Sequence, residues 1–138
     1  MSKLSDQLRI HEGVRRHVYL CTAGYETIGV GRNIAESGIG LSDDEIDYLL
    51  ENDIKRCKQE LISLSWFPDL DAVRQDAIVN LCFNLGLTRL MGFQNAMGAM
   101  AVGDYEKAAD EFLDSRWAKQ VGQRSLDVAH MIRTGEYP

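Results

Sequence analysis

Hydrophobic positions change period along this chain, and each change marks an element. Leu4, Leu8 and His11 follow helical spacing, and Gly13 ends that first helix directly after Glu12. From His17 to Gly31 the text HVYLCTAGYETIGVG turns aromatic and β-branched, with Gly24, Gly29 and Gly31 as punctuation. That pattern predicts short strands joined by turns, a small β-hairpin region. The loop ESGIG leads to Ser42, which with Glu45 forms a capping box opening a long helix. Ile46, Leu49, Leu50, Ile54, Cys57 and Leu61 are its apolar stripe. After SLSWFPDL, Asp71 is placed to N-cap a helix carrying Val73, Ala77, Leu81, Phe83 and Leu85, ended by Gly86. Further helices are predicted over 92–102, 104–116 and 118–134, with Gly135 as the stop signal of the last.

One helix, a hairpin and then helices only predict a two-lobed α+β protein. The expected organisation is a single domain over 1–138, with a small lobe at about 12–60 and a helical lobe made of 1–11 and 61–138. The long helix from Ser42 joins them. A chain of 138 residues, 45% of them hydrophobic, suits one core.

Charge narrows the class. The formal net charge is −6, and it is uneven: the chain up to Arg32 carries five basic and three acidic residues, whereas 36–60 carries eight acidic and three basic. That is the wrong footprint for a nucleic-acid partner. Cys21, Cys57 and Cys82 are odd in number and lack CxxC spacing, so neither a disulfide framework nor a zinc site is written here. The opening MSKLSDQLRIHEGVRR is interrupted by charge every few positions, unlike a signal peptide or a membrane anchor.

Glu12 is the first candidate for chemistry. A carboxyl at a helix C-terminus faces the negative end of the dipole, which favours its protonated form and suits a proton donor. Position alone leaves open that it is a solvated surface glutamate. The run RIHEGVRRHVYLCTAGYETIGVGRN resembles the phage-type lysozymes, glycoside hydrolase family twenty-four, in residues and spacing. DAVRQDAIVNLCFNLG, GDYEKAADEFLDSRWAKQVGQR and RTG extend the resemblance over essentially the whole chain. It implies a lysozyme-like fold and a catalytic set of Glu12, Cys21 and Thr27. Cys21 stands where an aspartate is commoner, and a neighbouring carboxylate would raise its thiol pKa.

The same resemblance implies substrate contacts at Gly29, Gly31, Asn84, Arg116, Trp117 and Arg124, with Arg124 pairing with the catalytic glutamate. Trp117 remains open between core and sugar platform, and Asn84 between sugar contact and helix-surface amide. Arg32 is expected to meet Asp53. Cys57 and Cys82 lie on apolar stripes and read as packing.

The implied activity is hydrolysis of the β-1,4 bond from N-acetylmuramic acid to N-acetylglucosamine in peptidoglycan, by protonating the leaving oxygen while a second group handles water. A lytic transglycosylase and a non-catalytic peptidoglycan-binding module are the alternatives. No cofactor or metal is expected. The partner is the peptidoglycan glycan strand, with no nucleic acid and no membrane insertion, and the protein is expected to be a monomer. It would sit in the host cytoplasm and reach the wall after membrane permeabilisation, causing lysis.

Overall fold

Ser2 opens the first helix: its hydroxyl accepts the Ser5 N–H at 3.0 Å, and α1 runs Lys3–Glu12 before Gly13, at φ 78°, stops it. The computed structural model describes residues 2–138. An antiparallel sheet follows, ordered β1 (Arg15–Leu20), β2 (Glu26–Gly29) and β3 (Arg32–Asn33). Tyr19 opposes Thr27, and Thr27 opposes Asn33. The expected hairpin is therefore three-stranded; a two-residue strand is too short to show a period in sequence.

The predicted long helix is α2 (Asp43–Leu61). Its start is held as a capping box requires from the Glu45 side: Oε1 accepts the Ser42 N–H at 3.0 Å and the Ser42 hydroxyl at 2.7 Å. Its stripe divides. Cys57 and Leu61 are buried, whereas Ile46, Leu49 and Leu50 are exposed. Arg32 does not take the partner expected of it. Its guanidinium donates to Glu45 at 2.7 Å and to the Gly40 carbonyl at 3.0 Å, while Asp53 pairs with Arg56 at 3.3 Å. Glu45 is already fixed at the helix start by Ser42, which makes it the preorganised acceptor.

The chain divides into two compact units, 1–49 and 50–138. The first holds α1, the sheet and the opening turns of α2. The second holds the rest of α2, then α3 (Ala72–Leu85), α4 (Leu87–Met91), α5 (Gln94–Ala101), α6 (Tyr105–Leu113), α7 (Arg116–Val121) and α8 (Gln123–Thr134). Asp71 caps α3 as predicted, accepting the Arg74 N–H at 3.2 Å, and Gly135 ends α8 in the left-handed region.

Two predicted helices in this unit are corrected, and the short α4 adds one that the spacing does not predict. The helix placed at 104–116 stops at Leu113, and Ser115 caps a separate α7 by accepting the Ala118 N–H at 3.1 Å. Gly122, at φ 60°, breaks the run placed at 118–134 between α7 and α8. Apolar spacing continues across these breaks, so the period does not reveal them.

The core of the second unit is built where α6 packs on α5 and α8, and α3 on α8. Phe112, Leu61, Ile78, Leu81, Leu90, Met100 and Ile132 are its largest fully enclosed side chains. Each such burial contributes about 1.5–3 kcal/mol. Phe83, assigned to the apolar stripe of α3, is 45% exposed. Arg74 ties the end of α8 to α3: it donates to the carbonyls of Ile132 and Arg133 at 2.6 and 2.9 Å, and lies 4.0 Å over the Tyr105 ring.

Candidate active site

The residues expected to do chemistry, Glu12, Cys21 and Thr27, all fall in the first unit. Glu12 is the last residue of α1, and its carboxylate lies against the turn between β2 and β3. A Cβ built on Gly31 would stand 2.8 Å from Glu12 Oε2. Gly31 also has φ 67°, so both the backbone and the space at this point call for glycine. Gly29, at φ 69°, ends β2; its Cβ position is open, and only the turn requires it.

Cys21 follows β1 directly. Its N–H donates to the Tyr25 carbonyl at 3.0 Å and its carbonyl accepts the Gly24 N–H at 2.8 Å, which closes a tight turn. The turn brings the N–H groups of Tyr25 and Ala23 to the thiol. Together with weaker hydrogen bonds from Thr27 and Gly24, they hold the thiol pKa below its ordinary value in spite of partial desolvation. The expectation of a raised pKa is thus corrected: backbone donors, which a sequence does not display, stabilise the thiolate.

Thr27 is buried at the centre of the sheet, 3% exposed, and donates to the Tyr25 carbonyl at 2.8 Å. Its hydroxyl also serves the Cys21 sulfur. Having one proton, it can satisfy one of these acceptors at a time while its oxygen remains able to accept. A hydroxyl and a polarised thiol therefore share one corner of the sheet, and a carboxylate rests on the neighbouring turn.

In the second unit, Trp117 is 4% exposed and its indole N–H donates to Asn84 Oδ1 at 2.7 Å. That burial makes Trp117 a core residue, and Asn84 the acceptor that satisfies it. Arg116 is exposed at the first position of α7. Arg124 donates to Asn80 Oδ1 at 2.9 Å and to the Asn80 carbonyl at 3.3 Å. Both line a groove of about 430 Å³ with Leu50, Ile54, Phe83 and Tyr137. Asn80 was missed in the sequence, although a polar residue inside IVNLCF is the kind of interruption that signals a task.

Cys57 and Cys82 are buried, as their stripes predict. Desolvation, with the neighbouring Cys57 and Glu60, pushes the Cys82 thiol up to about 12. The protein thus holds thiols of opposite character: Cys21 polarised toward thiolate, Cys82 locked as the acid.

A profile of the family described as Phage lysozyme matches residues 9–132, a span that includes Glu12, Cys21, Thr27 and Arg124. The chain belongs to the phage lysozyme family. Members of this family are muramidase-type glycoside hydrolases of peptidoglycan, and this chain is one. Relatives of this phage lysozyme include Probable T4-type lysozyme 1 of Dictyostelium discoideum, 28% identical over 98% of this chain and 96% of the relative. Endolysin of Acyrthosiphon pisum secondary endosymbiont phage 1 is 30% identical, over 86% of this chain and 80% of its own length. Pre-baseplate central spike protein Gp5 of Enterobacteria phage T4 is 31% identical over 96% of this chain, which spans 28% of that protein.

Proposed function

We propose that this phage lysozyme acts as an inverting muramidase, working as one catalytic domain on the β-1,4 bond between N-acetylmuramic acid and N-acetylglucosamine. The observation that carries the reading is the packing of the Glu12 carboxylate on Gly31, beside the sheet that presents Cys21 and Thr27. Glu12 donates its proton to the leaving glycosidic oxygen. Water attacks the anomeric carbon from the other side and loses its proton to the Cys21 thiolate, held in place by the Thr27 oxygen. The glycan lies along the Gly29–Gly31 turn. No cofactor takes part in any of these steps.

One of the named relatives is an endolysin. We extend that role to this chain: it is made inside the host and lyses the cell once the inner membrane is breached. Among the described residues no helix is long and apolar enough to cross a membrane by itself.

Digestion of purified sacculi followed by mass spectrometry of the products tests the reaction. Reducing-end muropeptides are expected; anhydro ends would identify a transglycosylase, in which the muramoyl hydroxyl replaces water. Glu12→Gln should keep the fold and lose at least about 10²-fold in activity, the usual worth of acid catalysis. A folded Glu12→Gln variant with more than a tenth of the activity overturns the assignment of the acid. Lysis of permeabilised but not intact Gram-negative cells tests the route to the wall.

A further inference from the structure

Peptidoglycan is a polyanion, because its stem peptides carry free carboxylates, and this chain carries a formal net charge of −6. The two repel unless they meet through a surface where the sign of the enzyme is reversed. The residues up to Arg32 carry five basic and three acidic residues, and β1 concentrates the excess. Arg15, Arg16 and His17 are consecutive and exposed there, with no acidic residue on the strand. β1 is an edge strand, paired only to β2, and among its residues only Tyr19 is even partly buried. The Arg15 guanidinium lies 5.2 Å from the centre of the Tyr19 ring. Val18 and Leu20 stand 54% and 66% exposed between the charges.

The placement of this strip matters more than its charge. Glu12 ends α1 just before β1, and Cys21 follows its last residue. A basic, open edge therefore runs from the proposed acid to the proposed water-handling thiol.

We propose that β1 is a docking strip for the stem-peptide carboxylates of peptidoglycan, with Arg15 and Arg16 carrying the charge. The proposal rests on reading the chain as a peptidoglycan hydrolase. Arg15 and Arg16 touch no reacting atom; they position the strand of substrate whose bond is cut. Charges on an edge strand also discourage pairing with other chains, and that role alone would leave substrate affinity unchanged.

The test compares the full-length protein with Arg15→Gln/Arg16→Gln and with Arg15→Lys/Arg16→Lys. Substrates are Gram-negative sacculi, which lack teichoic acid, and the same sacculi after chemical amidation of their carboxylates. Binding is read by co-sedimentation and turnover by turbidity, at low and high ionic strength. At low salt the Gln variant should bind untreated sacculi roughly three- to tenfold more weakly, the sum expected for two exposed charge contacts. KM should rise in step with kcat held within about twofold, and the Lys variant should behave as wild type. Near 1 M salt, where the screening length is about 3 Å, the difference should vanish. It should also vanish on amidated sacculi.

Equal binding by the Gln variant overturns the proposal, as does an equal loss on amidated sacculi or a loss confined to kcat. If binding depends on Arg15 and Arg16 but no muropeptide is released, the docking strip stands and the hydrolase reading falls.

Discussion

Replacing Gly31 with alanine tests the contact on which the proposed acid rests, because two separate costs meet there. The first is backbone: φ 67° lies in the left-handed region, where an alanine costs roughly 1–2 kcal/mol. The second is space. The new Cβ would lie 2.8, 3.1 and 3.2 Å from Oε2, Cδ and Cγ of Glu12, whereas ordinary contacts begin near 3.5 Å. The Glu12 side chain ends in a flexible carboxylate, so it yields at little cost in stability but moves away from its place. Misplacement on the scale of 1 Å can cost about 10²-fold in rate.

Gly40→Ala supplies the control, since Gly40 has φ 64° and nothing within 4 Å of its Cβ position. Thermal melts and sacculus turbidity in the same buffer make the comparison. Both variants should melt lower by roughly 3–8 °C. Gly40→Ala should keep near wild-type activity, whereas Gly31→Ala should lose about 10²-fold. If Gly31→Ala stays as active as Gly40→Ala, the carboxylate position held by Gly31 is irrelevant to the chemistry. If both lose activity equally, the effect is one of stability alone.

Cys21→Asp should remain active with its pH optimum moved down, because a carboxylate is already ionised where a thiol is only partly so; Cys21→Ala should lose most activity, and full activity there would remove the thiol from the mechanism. A limiting amount of iodoacetamide should alkylate Cys21 before Cys82, whose pKa near 12 leaves almost no thiolate; peptide mapping that finds Cys82 modified first would contradict this. Asn84→Ala strands the Trp117 N–H and should cost about 1–3 kcal/mol, most of it recovered in the double variant with Trp117→Phe after correction for the smaller ring, and additive losses in a denaturation cycle would sink the coupling. Glu45 is held down to about 2, chiefly by Arg32 and then by the Ser42 N–H and hydroxyl. A folded pKa below the unfolded one adds stability that is present above about 4.5 and lost as pH falls toward 2, so the melting gap between wild type and Glu45→Gln should close across that window; a gap unchanged into acid would refute it.

The end of α1 at Glu12, the Asp71 and Gly86 boundaries of α3 and the Gly135 stop were legible because each is written in adjacent residues. A capping hydroxyl or carboxylate serves an N–H a few positions away, and a glycine that takes positive φ needs no distant partner. The same locality explains the failures in the second unit. Apolar spacing continues through Ser115 and Gly122, so the period alone does not show the breaks made there.

Side-chain partnerships were less legible. Arg32 was expected to meet Asp53 but pairs with Glu45, whose carboxylate the Ser42 N–H and hydroxyl already hold in place. Trp117 could serve core or substrate by composition alone; its burial and the Asn84 acceptor decided between them.

By itself, the order of residues determined the locally capped helix ends, the family resemblance and the spacing from Glu12 to Cys21 to Thr27, since caps and stops act between near neighbours in the chain. Tertiary structure alone decided that the Glu12 carboxylate rests on Gly31 and that Arg124 is held by Asn80. Contact and electrostatic energies depend on distance in space, and folding brings together groups, such as Asn80 and Arg124, whose separation along the chain carries no trace of it.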